Sequence, residues 1–271
     1  MKGHRNAFSL LEWLVAAVVI LILAAILFPF GFGHGRHEKP RRIVCLSNVK
    51  QLGLAFAQYV QDYDMRYPVG PGTHRGGGWA GAIYPYVKST GVYRCPDDVT
   101  PGDSNATPPR YPVSFALNQF LTQTDNEQIA GNTYRGLGGA SAKVADPSKT
   151  VLLFEVSGSV AAITDSAEGG SARDRTSLAG DGLNLLSYDA ADREQAGNSA
   201  AVAGNTPGGA QYATGKIGGW NQTAQPAQWA EQPRHEQSAN YALVDGHVKY
   251  TAPQNVNCVQ DGSGKIYWAQ K

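Results

Sequence analysis

The sequence has little charge and few cysteines. Only 17% of its 271 residues are charged, and the formal net charge is +1. A protein that binds nucleic acid over its whole surface is expected to have a strong positive charge, and this sequence has none. None of the three cysteines, Cys45, Cys95 and Cys258, lies in a C-x-x-C pair. The spacing therefore argues against a zinc cage.

Common enzyme signatures are also missing, since there is no G-x-S-x-G, P-loop or H-E-x-x-H motif. His235, Asp245 and His247 invite a metal interpretation, together with Glu155, Asp97 and Asp98. If residues 239–244 form a strand, however, His235 and Asp245 lie about 20 Å apart at about 3.3 Å per residue. Calcium held by loop carboxylates stays open as an alternative, although no D-x-D-x-D-G loop occurs. We expect no enzyme activity, no cofactor and no metal.

What the sequence does have is one long apolar run near its start. Residues 13–30 include no charged or strongly polar side chain. A helix over residues 8–30 would reach about 35 Å, against a hydrocarbon core of about 30 Å. Glu12 lies at the beginning of this run, where an ionisable residue is costly and is a functional candidate by default. A secretory signal peptide usually has a shorter apolar core, and a simple signal anchor leaves Glu12 and Pro29 unexplained.

The stretch Ala7-Phe8-Ser9-Leu10-Leu11-Glu12 resembles the processing site of type IV pilin-like proteins. In that family a basic leader, here residues 1–7, is removed by a prepilin peptidase, which then N-methylates the new terminus. The resemblance implies cleavage between Ala7 and Phe8 and assigns assembly roles to Glu12 and Pro29. The family usually has Gly where this chain has Ala7. A neighbouring subunit's Glu12 would neutralise the new ammonium group of Phe8.

A basic stretch follows the apolar run. Its four residues are Arg36, Lys39, Arg41 and Arg42. They outnumber the basic residues of the leader, so the positive-inside rule alone would keep the bulk of the chain in the cytoplasm. The processing motif predicts export instead. DNA capture along a filament is an alternative role for this stretch, and we favour a solvated or intersubunit charge patch.

Pro and Gly residues predict a break in the helix at residues 29–40, after which a helical pattern resumes. Apolar residues then recur at steps of three and four up to residue 63, which indicates an amphipathic helix packed on a globular head. Its aromatic residues, Phe56, Tyr59 and Tyr63, are interpreted as core.

Three segments resemble the prepilin-like proteins that carry an H-x9-D-G motif. They are residues 45–63, the stretch Tyr93-Arg94-Cys95-Pro96-Asp97-Asp98, and His235 followed after nine residues by Asp245-Gly246. The resemblance covers about the first 100 and the last 40 residues, and it implies a structural role for His235, Asp245 and Gly246.

Four strands are predicted, at residues 111–117, 150–156, 239–244 and 247–252, with a hairpin at Asp245-Gly246. Residues 157–233 have few large apolar side chains and are interpreted as a loop-rich insertion anchored by Trp220 and Trp229. The predicted fold is α+β and pilin-like, with a long, partly transmembrane N-terminal helix packed on an antiparallel sheet. The predicted parts are a leader (1–7), that helix (8–63) and a β-rich head (64–271).

An exported protein can hold disulfides. We predict a bond between Cys45 and Cys95, with Cys258 free, and closing this loop would contribute about 4 kcal/mol. The alternative is three buried thiols. Asn105 and Asn221 fit the N-x-T glycosylation pattern, and Asn105 also fits the longer acidic form.

The predicted function is that of a structural subunit of a type IV pilus or a type II secretion-like pseudopilus. Its partners would be prepilin peptidase and copies of itself or other pilins. The subunit would sit in the inner membrane before assembly and then in an extracellular or periplasmic filament. The alternative is a membrane-anchored surface binding protein that uses the helix only as a tether.

Overall fold

The computed structural model describes residues 10–27, 38–68, 78–122, 127–129, 132–134, 137–165, 211–215, 232–257 and 266–267. The chain divides into two compact units, Met1–Pro40 and Arg41–Lys271. Each unit is described below by itself.

The first unit contains helix α1, Leu10–Leu27. It is built from Leu, Ile, Val and Ala without Gly or Pro, and Glu12 lies in its first turn, where a carboxylate interacts favourably with the helix dipole. Within the described ranges no helix is long and apolar enough to cross a membrane. The two ends of the transmembrane span predicted for residues 8–30, with Phe8 and Pro29, lie outside the described residues.

Helix α2 spans Glu38–Asp62. We expected the break to extend to residue 40, but the helix already begins at Glu38, so Pro40 lies in its first turn. Proline is tolerated there because its missing N–H would have no partner within the helix. Residues 28–37, which hold the rest of the predicted break, lie outside the described residues.

One face of α2 is buried in the head, as its periodicity predicts. Five of its larger buried side chains are four, three, four and four positions apart, a spacing that keeps them on one side of a helix. They are Cys45, Val49, Leu52, Phe56 and Val60. Tyr59 is half-buried, and Tyr63 is exposed although we expected it in the core. Its ring stacks on that of Tyr59 with centroids 4.0 Å apart.

The head contains one further α-helix and eleven strands among its described residues. Helix α3 is Trp79–Val87. The strands are β1 Tyr111–Pro112, β2 Phe115–Leu117, β3 Glu127–Ile129, β4 Asn132–Tyr134, β5 Val151–Ser157, β6 Val160–Ala161, β7 Gln211–Tyr212, β8 Ala239–Leu243, β9 Val248–Thr251, β10 Val256–Asn257 and β11 Ile266–Tyr267.

The largest sheet is antiparallel and has the order β2-β5-β8-β9, with β7 also paired to β5. Strand β5 is central, and its first six residues are all buried. Both of its faces are therefore covered, which explains the nearly continuous apolar sequence of this strand. The remaining pairs are β1 with β6, β3 with β4 and β10 with β11.

The helix and the sheet close on an aromatic core. The ring of Trp79 in α3 lies 5.4 Å from that of Phe56 in α2 and 6.1 Å from that of Tyr93. The Tyr93 hydroxyl donates to the carbonyl oxygen of Ala80 at 2.9 Å. Tyr93 ends a short 3-10 helix, Thr90–Tyr93, so this packing fixes the start of the segment that carries Cys95.

The four predicted strands occur with differences in detail, whereas strands β3, β4, β10 and β11 were not predicted. Residues 111–117 form two short strands, β1 and β2, rather than one. The predicted hairpin joins β8 to β9, but its loop has three residues rather than two, because Leu243 and His247 are the closing pair. Gly246 takes the left-handed conformation, with φ of 85°, as the last residue of such loops does.

Only parts of the predicted insertion, residues 157–233, are described. Strands β6 and β7 belong to it, and they pair with β1 and β5 of the head. The proposed anchors Trp220 and Trp229 lie outside the described residues.

Candidate functional site

Four chemically reactive side chains meet in the interior of the head. Cys45 comes from the first buried position of α2, Cys95 from the loop after Tyr93, Glu155 from the centre of β5, and His235 from the segment before β8. One ligand atom from each lies within 4.8 Å of all the others, and all four residues are buried. We call these residues the four-residue cluster.

A carboxylate oxygen is the centre of the cluster. Glu155 Oε1 accepts a hydrogen bond from the Cys45 thiol at 2.9 Å and lies 3.0 Å from His235 Nε2. The same oxygen accepts from the Asn240 side-chain amide at 2.8 Å. Cys95 Sγ is 3.5 Å from His235 Nε2. The other oxygen, Glu155 Oε2, is buried with no hydrogen-bond partner among the described residues.

The histidine is held from its other side as well. His235 Nδ1 is 3.2 Å from Asp97 Oδ2, and Asp97 Oδ1 is 3.3 Å from a guanidinium nitrogen of Arg41. The Tyr250 hydroxyl donates to the main-chain oxygen of His235 at 2.9 Å. These contacts orient the ring so that Nε2 points toward the two sulfurs and Glu155.

A buried ion pair lies beside the cluster. Arg234 is 3.1 Å from Asp98 Oδ2, and the two side chains are only 5% and 1% exposed. The Ser114 hydroxyl donates to the same carboxylate at 2.7 Å, and its oxygen accepts the main-chain N–H of Cys95 at 2.8 Å. The ion pair and Ser114 thus hold the Cys95 backbone in place.

The surrounding contacts shift the pKa values of the two cysteines in opposite directions. Burial raises the pKa of Cys45 well above its usual value, with Cys95 and Glu155 acting in the same direction. The hydrogen bond from Cys45 lowers the pKa of Cys95 to about 6, against the opposing effect of burial. At neutral pH, Cys45 is thus a thiol and Cys95 a thiolate.

The other two groups carry charge in spite of their burial. Burial acts to lower the pKa of His235, but hydrogen bonds to Cys95 and Glu155 raise it to about 10. Burial acts to raise the pKa of Glu155, but the His235 hydrogen bond and the charge of Arg234 hold it below its usual value. The interior therefore contains a thiolate, an imidazolium and a carboxylate in contact.

A thiolate beside an imidazolium is the chemistry of a cysteine nucleophile, but access decides whether it can act as one. Cys45, Cys95 and Glu155 have no exposed surface, and His235 is nearly inaccessible. A substrate cannot reach these sulfurs without opening the head. The arrangement suits ion binding or structural support.

Several predicted site residues can be located. Cys45 and Cys95 are adjacent, but both are free cysteines rather than the predicted disulfide. Cys45 Sγ also contacts Glu155 Oε1 at 2.9 Å, and Cys95 Sγ contacts His235 Nε2 at 3.5 Å. The predicted processing site, Ala7 and Phe8, lies outside the described residues, as do Pro29 and Cys258.

The two ends of the H-x9-D-G motif have separate environments. His235 belongs to the four-residue cluster, whereas Asp245 lies in the hairpin loop and is 2.7 Å from His247 Nδ1. The Lys50 ammonium of α2 donates to the carbonyl oxygen of Gly246. The loop thus fastens the hairpin to α2 rather than sharing an ion with His235.

Two further predictions concern the surface. Asn105 is exposed in a polar loop. Its glycosylation stays a prediction, which the mass of the peptide that contains it would test. Asn221 lies outside the described residues. In the basic stretch, Arg41 pairs with Asp97, and the Arg42 guanidinium lies 4.2 Å from the centre of the Tyr250 ring. Both side chains contact the head itself.

Sequence reasoning missed Arg234 and Asn240, and it named Glu155 only as a possible metal ligand beside His235, Asp245 and His247. One signal was available, because Glu155 is the only charged residue in Val151–Ser157. A carboxylate inside an apolar strand must be paired or bind an ion. Arg234 and Asn240 carry no comparable pattern, since their roles depend on contacts made by the folded chain.

Two family models match the chain. Residues 36–256, more than half of its length, match the family described as "Protein of unknown function (DUF1559)". Residues 2–28 match the "Prokaryotic N-terminal methylation motif". The chain belongs to the first family and carries the second motif at its N-terminus. No curated protein and no solved structure matches it.

These matches confirm the predicted likeness to type IV pilin-like proteins and indicate a surface protein processed as a prepilin. Neither description names an enzyme. Membership of the H-x9-D-G subfamily, the cleavage position and the place of the subunit in a filament stay predictions.

Proposed function

We propose that this protein is a structural subunit of a type IV pilus or a type II secretion-like pseudopilus. In this proposal, prepilin peptidase cuts between Ala7 and Phe8, and the mature subunit polymerises through its N-terminal helix. The head is then displayed on an extracellular or periplasmic filament. Before assembly, the subunit is held in the inner membrane.

The observation that supports the proposal most strongly is the exposed apolar surface of α1. Leu10 is 91% exposed, and large apolar residues from position 11 to position 23 are exposed as well. A stretch of this kind marks a membrane or protein contact. Burying one such Leu or Ile fully contributes about 1.5–3 kcal/mol. Packing α1 among copies of itself would therefore be strongly favourable.

Glu12 would fix the register between neighbouring α1 helices. It is the one ionisable residue of α1, and it lies four positions after the proposed mature terminus at Phe8. In a bundle of α1 helices, the most favourable arrangement is the one in which the Glu12 carboxylate faces the new ammonium group of a neighbour. Any other offset between the helices leaves both charges in an apolar setting. One subunit offset, and hence one filament geometry, would result.

The test compares two isosteric changes in the full-length chain expressed in its own host. Glu12→Gln removes the carboxylate from α1, and Glu236→Gln removes one from an exposed position of the head. We expect Glu12→Gln to remove most of the protein from the sheared extracellular or periplasmic filament fraction, while its membrane-bound level stays normal. Glu236→Gln should behave like the parent protein.

Two outcomes would contradict the proposal. Normal filament yield from Glu12→Gln would show that the carboxylate does not direct assembly. Parent protein found only in membranes, with none in the sheared fraction, would favour the alternative in which the helix is a simple tether for a surface binding protein.

A further inference from the structure

We propose that Cys45, Cys95, Glu155 and His235 together bind one Zn²⁺ ion, which fastens α2 to the rest of the head. The site is distinct from the assembly surface of α1, and its existence does not depend on the filament proposal.

The donor set is that of a zinc site. Two sulfurs, one imidazole nitrogen and one carboxylate oxygen are the ligand types that Zn²⁺ takes in proteins. Calcium and magnesium prefer oxygen ligands throughout and would leave both sulfurs unused. Four protein donors also satisfy the tetrahedral coordination of a structural site.

The distances fit a tetrahedron with small adjustments. With bonds of about 2.0–2.3 Å to zinc, the edges of such a site are about 3.3–3.8 Å long. The Cys95 Sγ to His235 Nε2 distance is 3.5 Å, which is within that range. His235 Nε2 to Glu155 Oε1 is 3.0 Å, and Cys45 Sγ to Glu155 Oε1 is 2.9 Å. These two edges need to lengthen by a few tenths of an ångström, with rotation of the Glu155 side chain.

The surroundings are those that orient metal ligands. A ligating histidine usually donates its second N–H to a carboxylate or a carbonyl oxygen. His235 Nδ1 lies 3.2 Å from Asp97 Oδ2, which leaves Nε2 to face the ion. The Asn240 amide donates to Glu155 at 2.8 Å and fixes that ligand in the same way.

The net charge of the cluster is the same with the ion as without it, because the ion replaces two protons. Two thiolates and a carboxylate around Zn²⁺ leave one net negative charge. The Arg234 guanidinium, close enough to influence both cysteines and Glu155, supplies a positive charge beside it, although Asp98 shares that charge. Bound metal would displace the protons of Cys45 and His235.

The position of Glu155 favours a bound ion over a disulfide between Cys45 and Cys95. A Cys45–Cys95 bond would need neither a buried carboxylate nor a histidine against the sulfurs, and burying an ionised carboxylate is costly. Glu155 has no exposed surface, and its Oε2 has no hydrogen-bond partner among the described residues. An ion explains why this residue lies against both thiols.

A zinc ion here would be structural rather than catalytic. With four protein ligands no coordination position stays open for water or substrate. The ligands come from α2, the loop after Tyr93, strand β5 and the segment before β8. The ion would therefore join four distant parts of the chain at the point where α2 enters the head.

The test is metal analysis of the full-length chain, purified in detergent under reducing conditions and equilibrated with Zn²⁺. We expect about one tightly held zinc per chain. The protein freed of zinc with a chelator and given Co²⁺ should show thiolate-to-cobalt charge-transfer bands and the intense d–d bands of a tetrahedral centre. Returning zinc should raise the thermal unfolding midpoint of the zinc-free protein.

Matched variants identify the ligands. Cys45→Ser and His235→Ala should lose the bound zinc, while Cys258→Ser and His247→Ala should keep it. His247 is a suitable control because it is an exposed histidine in the hairpin loop. If the ligand variants do not fold, the cobalt spectrum and the thermal shift of the parent protein still decide the question.

Three results would overturn the proposal. The first is reduced parent protein that takes up no zinc and gives no tetrahedral cobalt spectrum. The second is stoichiometric zinc that persists in folded Cys45→Ser and His235→Ala. The third is a Cys45–Cys95 disulfide, found by peptide mass mapping in protein recovered from the host's exported fraction.

Discussion

Two leucines of α2 lie two positions apart and face opposite environments. Leu52 has no exposed surface, whereas Leu54 is 49% exposed. Truncating a fully buried leucine to alanine costs the transfer free energy of the lost atoms and leaves a cavity, together about 2–5 kcal/mol. We therefore expect Leu52→Ala to lower the free energy of unfolding by that amount. Leu54→Ala, with no cavity, should cost about 1 kcal/mol or less.

The assay is urea unfolding of the full-length chain in mild detergent, followed by circular dichroism and tryptophan fluorescence. Both variants make the same change within one helix, so helix propensity contributes equally and the difference reports burial. Equal losses for the two variants, or a larger loss for Leu54→Ala, would refute the assignment of the buried face of α2.

Other predictions concern single positions and use the same unfolding assay. Gly53→Ala should stabilise by about 0.5–1 kcal/mol, since a Cβ there meets β8 only at an ordinary 3.8 Å contact and alanine favours helix; a loss would show tighter packing. Arg234→Met should cost about 3–5 kcal/mol because it strands a buried carboxylate, and adding Asp98→Asn should recover part of this loss; no recovery would refute the pairing. Gly246→Ala should cost about 1–2 kcal/mol from its φ of 85° alone, since nothing lies within 4 Å of the new Cβ. Gly246→Asn should cost less than Gly246→Ala. Equal losses from the two variants would contradict the conclusion that the cost comes from the backbone conformation.

Helix α2 and the hairpin could be predicted because their signals are local, whereas α3 was not predicted. The buried face of α2 follows from residue spacing, and Asp245-Gly246 marks a tight turn between two β-rich runs. The details that differed have local causes too. Pro40 fits the first turn of a helix, and the hairpin loop gains a third residue because Leu243 pairs with His247.

The four-residue cluster could be predicted only in part. The sequence indicated that Cys45 and Cys95 lie near each other, and they do, but in this structure they are two free cysteines rather than the predicted disulfide. The absence of closely spaced cysteine pairs does not reveal ligands that come together from distant segments. Glu155 and His235 reach the sulfurs through pairing of β5 with β8, a contact between distant parts of the chain that no local pattern reveals.

The most direct test of the account is the mass of the N-terminal peptide of exported protein recovered by shearing. We expect a peptide that begins at Phe8 and carries one methyl group on its amine. An intact Met1, or a terminus created at another position, would contradict processing as a prepilin and with it the proposed route into a filament.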